Sequence, residues 1–246
     1  MNLKFPYTTL LKLLAIASYV SLNPVHAWDG GEQSENEREE AMHLTPDITN
    51  GKRIYELCAI CHHETGWGDG AHISQRQKPG YFPILAGQHR NVLIKQIADI
   101  RSGNRDNPMM YPYTLDKYIG GAQGIADVTA YIASLPGHPK NTVGLGNDLL
   151  LGKDLYRVHC KKCHGENGEG NDEDFYPRLE GQHYNYMLRQ FIWIRDGKRR
   201  NANYKMRRQI ARFTFREMMA VIDYSSRLKL PSKVDSKIVN PEKNNK

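Results

Sequence analysis

Cys58-Ala59-Ile60-Cys61-His62 sets two thiols three positions apart and an imidazole directly after the second. On a helix, residues at i and i+3 share one face. Both thiols can therefore add to the two vinyl groups of one porphyrin while the next side chain turns its imidazole towards the iron. This pattern implies covalent attachment of a c-type haem, with His62 as the proximal axial ligand. It returns 102 positions later as Cys160-Lys161-Lys162-Cys163-His164. Two haem c groups follow, bound through Cys58, Cys61, Cys160 and Cys163, with each iron held by His62 or His164.

Structural zinc sites and thioredoxin-like dithiols share the Cys-x-x-Cys spacing. A zinc site of this kind wants its second pair about 15–20 residues away, and a redox dithiol wants a strand-helix-strand setting. Neither explains a histidine after both pairs. Haem attachment consumes all four cysteines of the chain and leaves none for a disulfide.

The elements that must position these groups are helical. The 246 residues suffice for two modest domains. Residues 1–27 place Lys4 and Lys12 before an apolar run that ends in Val25-His26-Ala27, the order of a cleavable signal peptide. Residues 28–46 form an acidic tail with almost no apolar side chain, expected to stay mobile because nothing in it can pack. A first domain is expected over 47–136, a Gly-, Pro- and Asn-containing linker over 137–147, a second domain over 148–231 and a polar tail over 232–246.

The two domains are copies of each other. Gly51-Lys52-Arg53-Ile54-Tyr55 answers Gly152-Lys153-Asp154-Leu155-Tyr156, and Pro83 to His89 answers Pro177 to His183 at an offset of 94. Gln96, Arg101, Gly103, Arg105 and Asn107 recur at that offset as Gln190, Arg195, Gly197, Arg199 and Asn201. The longer stretch between haem motif and proline in the first copy predicts an extra surface loop near 71–80. Apolar spacing of three and four predicts helices after each Gly-Gln-His and a closing helix in each domain, the second opened by a capping box at Thr214 and Glu217. No alternating strand pattern of useful length occurs. The expected fold class is all-α, with a covalently held porphyrin completing each small core.

Charge divides between the halves. Residues 28–137 carry 10 basic and 14 acidic side chains, and residues 138–246 carry 22 and 13. Opposite signs on two repeats point to different docking faces. Nucleic acid is a poor partner for an exported haem protein.

Over residues 47–231 the chain resembles the dihaem cytochrome c4 family, and more loosely the paired cytochromes c553. The features that carry this are the two haem motifs, the Pro to Gly-Gln stretch, the Arg-x-Gly-x-Arg segment and the closing Tyr131-Ile132-Ala133-Ser134-Leu135. The resemblance implies two tandem class I cytochrome c domains. It implies that the carbonyls of Pro83 and Pro177 accept from the haem histidines, and that methionine sulfur takes the sixth iron position. Met206 is the candidate in the second domain. In the first, the Asn-Pro-x-Met pattern points to Met110, with Met109 as the alternative. His89 and His183 are rival ligands by their repeated position, although surface or capping roles suit them better. Arg101, Arg105, Arg195 and Arg199 are candidates for haem propionates, with a solvated helix end as an equally good reading. Tyr55 stands three residues before Cys58 but Tyr156 four before Cys160, a change of register.

The function expected from this resemblance is a periplasmic carrier, not an enzyme, that moves electrons one at a time between redox partners in a respiratory chain. Such partners include a quinol-cytochrome c oxidoreductase, a terminal oxidase or a dehydrogenase, with no nucleic acid and no small-molecule substrate. The alternative is a dihaem enzyme of peroxidase type with one open iron.

Overall fold

The computed structural model describes residues 30–68, 80–137 and 140–229. The expected signal peptide, the polar tail at 232–246 and nearly all of the extra loop near 71–80 lie outside these residues. The described residues are helical, with a single isolated bridge between Asn171 and Tyr176 and no strand. In chain order they form α1 (Gly30–His43), α2 (Ile48–His62), α3 (Arg90–Arg101), a 3-10 turn (Tyr111–Thr114), α4 (Asp116–Ile119) and α5 (Ala122–Ser134). The second half follows with α6 (Leu149–His159), α7 (Lys161–His164), α8 (Tyr184–Arg195), α9 (Tyr204–Ile210) and α10 (Phe215–Ser226). No helix among them is long and apolar enough to cross a membrane.

Each half is built on a crossing of its first haem-motif helix with its closing helix. A Cβ on Gly51 would lie 2.1 Å from the Asp127 carbonyl oxygen of α5, and one on Gly152 would lie 2.2 Å from the Ala220 carbonyl oxygen of α10. Only glycine lets the backbones approach so closely. One turn on, Tyr55 packs on Tyr131 and Tyr156 on Tyr224 at ring centroid separations of 5.4 and 5.6 Å. This accounts for the repeated Gly-Lys-x-x-Tyr segment.

The N-terminus of α2 is capped by Asp47, which accepts from the Thr49 and Asn50 amides. Asp127 ties it to α5 by accepting from the Asp47 amide and the Asn50 side chain. Around the crossings lie two apolar cores. One gathers Ile54, Leu93, Ile94, Ile125 and Val128, the other Phe191, Ile210, Met218, Val221 and Ile222. Each fully buried aliphatic chain contributes about 1.5–3 kcal/mol. The capping box at Thr214 and Glu217 forms as expected and opens α10.

The described part of the acidic segment, residues 30–46, departs from expectation. It is not an unpacked tail: α1 lies within it, and Ala41 is fully buried with Met42 and Leu44 packed on the first core. Arg90 donates to the Ala41, Met42 and Leu44 carbonyls, closing the C-terminal end of α1, and Arg101 pairs with Glu37. Three apolar residues at one end and two arginines are sufficient to dock a helix whose composition is otherwise polar. Residues 141–146 are also anchored, since Asp223 accepts from the Gly144 and Gly146 amides and Asn141 donates to the Gln182 and Ser226 carbonyls.

Candidate haem sites

Cys58, Cys61 and His62 occupy the last two turns of α2, and Cys160, Cys163 and His164 span the junction of α6 with α7. The one-residue register change is absorbed at Cys160, where the helix breaks. Tyr55 donates to the His63 carbonyl at 2.8 Å and Tyr156 to the equivalent Gly165 carbonyl at 2.9 Å, so both tyrosines reach the same point despite different spacing. That point is a left-handed residue in both copies: His63 has φ 64° and Gly165 φ 83°. The non-glycine His63 sits there with Nδ1 2.9 Å from the Thr65 hydroxyl.

The imidazoles are oriented alike. His62 is buried with Nδ1 3.3 Å from the Pro83 carbonyl oxygen, and His164 is buried with Nδ1 3.0 Å from that of Pro177. An Nδ1–H that donates to a carbonyl leaves Nε2 as a bare lone pair suited to a metal. Burial outweighs the proline bond and pushes the His62 pKa down to about 4, and it lowers that of His164 as well. Each ring is therefore neutral at ordinary pH, the state that ligates. Phe82 and Tyr176, the residues before the two prolines, lie against the imidazoles at 6.0 and 6.4 Å.

Burial drives the Cys58 and Cys160 thiols up to about 12 and raises Cys61 also. Buried thiols held in the unionised form are poor redox nucleophiles. The donor set fits a group held through thioethers and one imidazole. Among the described residues no cluster of three or more His, Cys, Asp or Glu side chains could hold a metal ion in its place.

The methionine segments differ in build. Met206 lies in α9, half-buried against the second core. Met110 is half-buried just before the 3-10 turn, whereas Met109 is 45% exposed. Both segments carry an asparagine three residues earlier: Asn107 accepts from the Met110 amide, and Asn203 caps α9 by accepting from the Lys205 amide.

The four candidate arginines divide into two kinds. Arg101 is committed to its own half through the Thr114 and Gly120 carbonyls, Asp116 and Glu37, and Arg195 to Asp196 and the Met218 sulfur. Arg105 and Arg199 instead meet between the halves, where each guanidinium bridges the side-chain oxygens of Gln96 and Gln190 at 2.8–3.1 Å. Burial, reinforced by Arg105, brings the Arg199 pKa down to about 9. Such a cationic pair, with Arg105 buried and Arg199 partly exposed, suits the propionates of a porphyrin.

His183 is buried and His89 half-buried, and neither caps its helix through the side chain. His89 Nε2 lies 2.7 Å from the Glu169 carbonyl and His183 Nε2 lies 2.9 Å from the Trp67 carbonyl, equivalent contacts made across the junction in opposite directions. Sequence reasoning gave no role to Gln88 and Gln182, which bond across the same junction to Arg178 and Ile84. Their repetition beside the two histidines was the available signal.

The cytochrome c family pattern matches residues 48–136 and again 149–228. Cytochrome c4 of Azotobacter vinelandii is 31% identical over 202 residues, covering 74% of this chain and 89% of its own. A protein of Stutzerimonas stutzeri named thiosulfate dehydrogenase electron acceptor is 32% identical over 205 residues, with 74% and 88% covered. Among solved structures, reduced recombinant cytochrome c4 from Pseudomonas stutzeri superposes with a TM-score of 0.64 at 27% identity, covering 75% of this chain and all of that one. With two haem c groups and a Cys-x-x-Cys-His motif in each half, at Cys58–His62 and Cys160–His164, this chain belongs to the cytochrome c family as a tandem, dihaem member of the cytochrome c4 group.

Proposed function

We propose that this dihaem electron-transfer protein is a periplasmic carrier, with His62 and Met110 as axial ligands in the first half and His164 and Met206 in the second. The observation that carries the ligand set is the pair of buried imidazoles whose Nδ1 atoms face Pro83 and Pro177 while a half-buried methionine stands in each half. Bound haem supplies a one-electron iron couple at each site. The chain's part is to hold the imidazole in one tautomer, to offer a soft sulfur that favours the ferrous state, and to keep water out. A peroxidase would need one iron without a sixth protein ligand, and the likeness to cytochromes c4 favours the carrier.

The two halves present different exposed residues in their haem motifs and methionine segments. Lys161, Lys162, Lys205, Arg207 and Arg208 are exposed in the second half, while Ile60, Met109, Tyr111 and Tyr113 are exposed in the first. The cationic face suits an acidic redox protein, and the aromatic one a partner with an apolar contact. The similarity to a thiosulfate dehydrogenase electron acceptor supports a dehydrogenase as donor, with a terminal oxidase or other respiratory complex beyond.

Visible spectra of the purified holoprotein test the carrier. A ferric far-red band from sulfur ligation at both haems, with slow cyanide binding, is the expected result. A high-spin ferric haem that binds cyanide at once would assign the peroxidase instead. Replacing Cys160 and Cys163 with Ala should halve the haem per chain.

A further inference from the structure

The carbonyl that faces His62 and the amide of Ile84 belong to one peptide group, Pro83–Ile84. Its carbonyl oxygen lies 3.3 Å from His62 Nδ1, and its N–H donates to Gln182 Oε1 at 2.9 Å. Gln182 belongs to the other half of the molecule. Its Nε2 returns to the Ile84 carbonyl at 2.8 Å, so the amide grips Ile84 at both backbone atoms. The mirror arrangement holds in the second half: His164 faces the Pro177 carbonyl at 3.0 Å, and the N–H of the same peptide group, on Arg178, donates to Gln88 Oε1 at 2.9 Å. Gln88 Nε2 then donates to the Arg178 carbonyl at 3.0 Å. In each glutamine the same Oε1 also accepts from the following backbone amide, of His89 or His183, at 3.0 Å, which fixes the side chain in place. Gln182 and Ile84 are each 7% exposed, so water does not compete for these groups.

We propose that Gln182 tunes the first haem and Gln88 the second, each acting from the opposite half through the peptide that holds the other half's axial histidine. The proposal rests on His62 and His164 as ligands. A peptide whose N–H donates becomes more polarised, and its carbonyl a stronger acceptor. A stronger acceptor draws the imidazole Nδ1–H towards it and makes Nε2 a better donor to iron. A more electron-rich ligand favours ferric over ferrous iron, so each glutamine lowers the potential of the haem across the junction. Gln88 and Gln182 are thus positioning residues, and they make each redox centre depend on the domain that does not contain it. A merely structural glutamine would hold the halves together without favouring one haem over the other.

The test uses the full-length holoprotein with Gln182→Met, which keeps the volume but removes the acceptor. The midpoint potential of the first haem should rise while that of the second stays put, and the Ile84 amide proton should move upfield and exchange faster with solvent. Gln88→Met should give the reciprocal result at the second haem and Arg178, and it supplies the answer should one variant fail to fold. Arg200→Ala, which removes a junction bond from Arg200 to the Gly103 carbonyl and none to either peptide, should leave both potentials unchanged. Equal shifts of both haems in either glutamine variant, or an altered amide with no change of potential, would overturn the proposal. His62→Ala separates the underlying assumption: an unchanged first-haem spectrum there retires the ligand, whereas a lost low-spin spectrum together with a silent Gln182→Met retires the glutamine alone.

Discussion

His183 Nε2 donates to the Trp67 carbonyl at 2.9 Å while its Nδ1 accepts from the Thr142 amide at 3.1 Å. The residue is 1% exposed, and these bonds join the second half both to the loop after the first haem motif and to the segment between the halves. A ring nitrogen that accepts an amide proton and another that donates to a carbonyl leave no lone pair for iron.

His183→Ala should therefore leave both haem spectra unchanged while destabilising the protein. Stranding a part-buried carbonyl and a part-buried amide costs about 1–3 kcal/mol. Denaturant unfolding followed at the Soret band measures this, and a loss of low-spin haem in the variant would restore the histidine as a ligand.

Gly152→Ala should do more damage than its size suggests, because the added methyl would sit 2.2 Å from the Ala220 carbonyl oxygen and must drive α6 from α10. Overpacking of this kind costs roughly 1–3 kcal/mol. Gly51→Ala should behave alike through Asp127. Thermal unfolding midpoints of both variants should fall well below that of Gly137→Ala, where a Cβ would meet nothing within 4 Å.

Met206→Ala should open the second haem to added cyanide or imidazole and lower its potential, since soft sulfur favours ferrous iron. The first haem should be unaffected. In the first half, Met110→Ala should give that phenotype and Met109→Ala should not, the latter side chain being 45% exposed. Redox titration and ligand-binding spectra decide between them.

Charge reversal at Lys161 and Lys162, both exposed between the second pair of haem cysteines, should slow exchange with an acidic redox partner several-fold at low salt. The difference should shrink as salt rises, because the Debye length falls from about 30 Å at 0.01 M to about 8 Å at physiological strength. Stopped-flow rates across ionic strength measure it; a salt-independent rate would show that the cationic face does not steer docking.

The sequence by itself determined the cofactor, its number and the two-fold repetition of an all-helical domain. Covalent attachment is local chemistry: Cys58, Cys61 and His62 lie on one helical stretch, so their spacing already specifies which atoms can reach one porphyrin. Helix periodicity and the capping box at Thr214 are local in the same way. Only the tertiary structure decided what depends on distant partners. Composition made 28–46 look unable to pack, yet Ala41, Arg90 and Arg101 dock it as α1. Met109 and Met110 are adjacent in the chain and chemically identical, and only the turn of the backbone separates an exposed side chain from a half-buried one. Gln182 meets Ile84 across 98 residues and His183 meets Trp67 across 116. Hydrogen bonds between two packed halves impose no period on the sequence, so their donors and acceptors become legible only when the chain has folded and the halves have met.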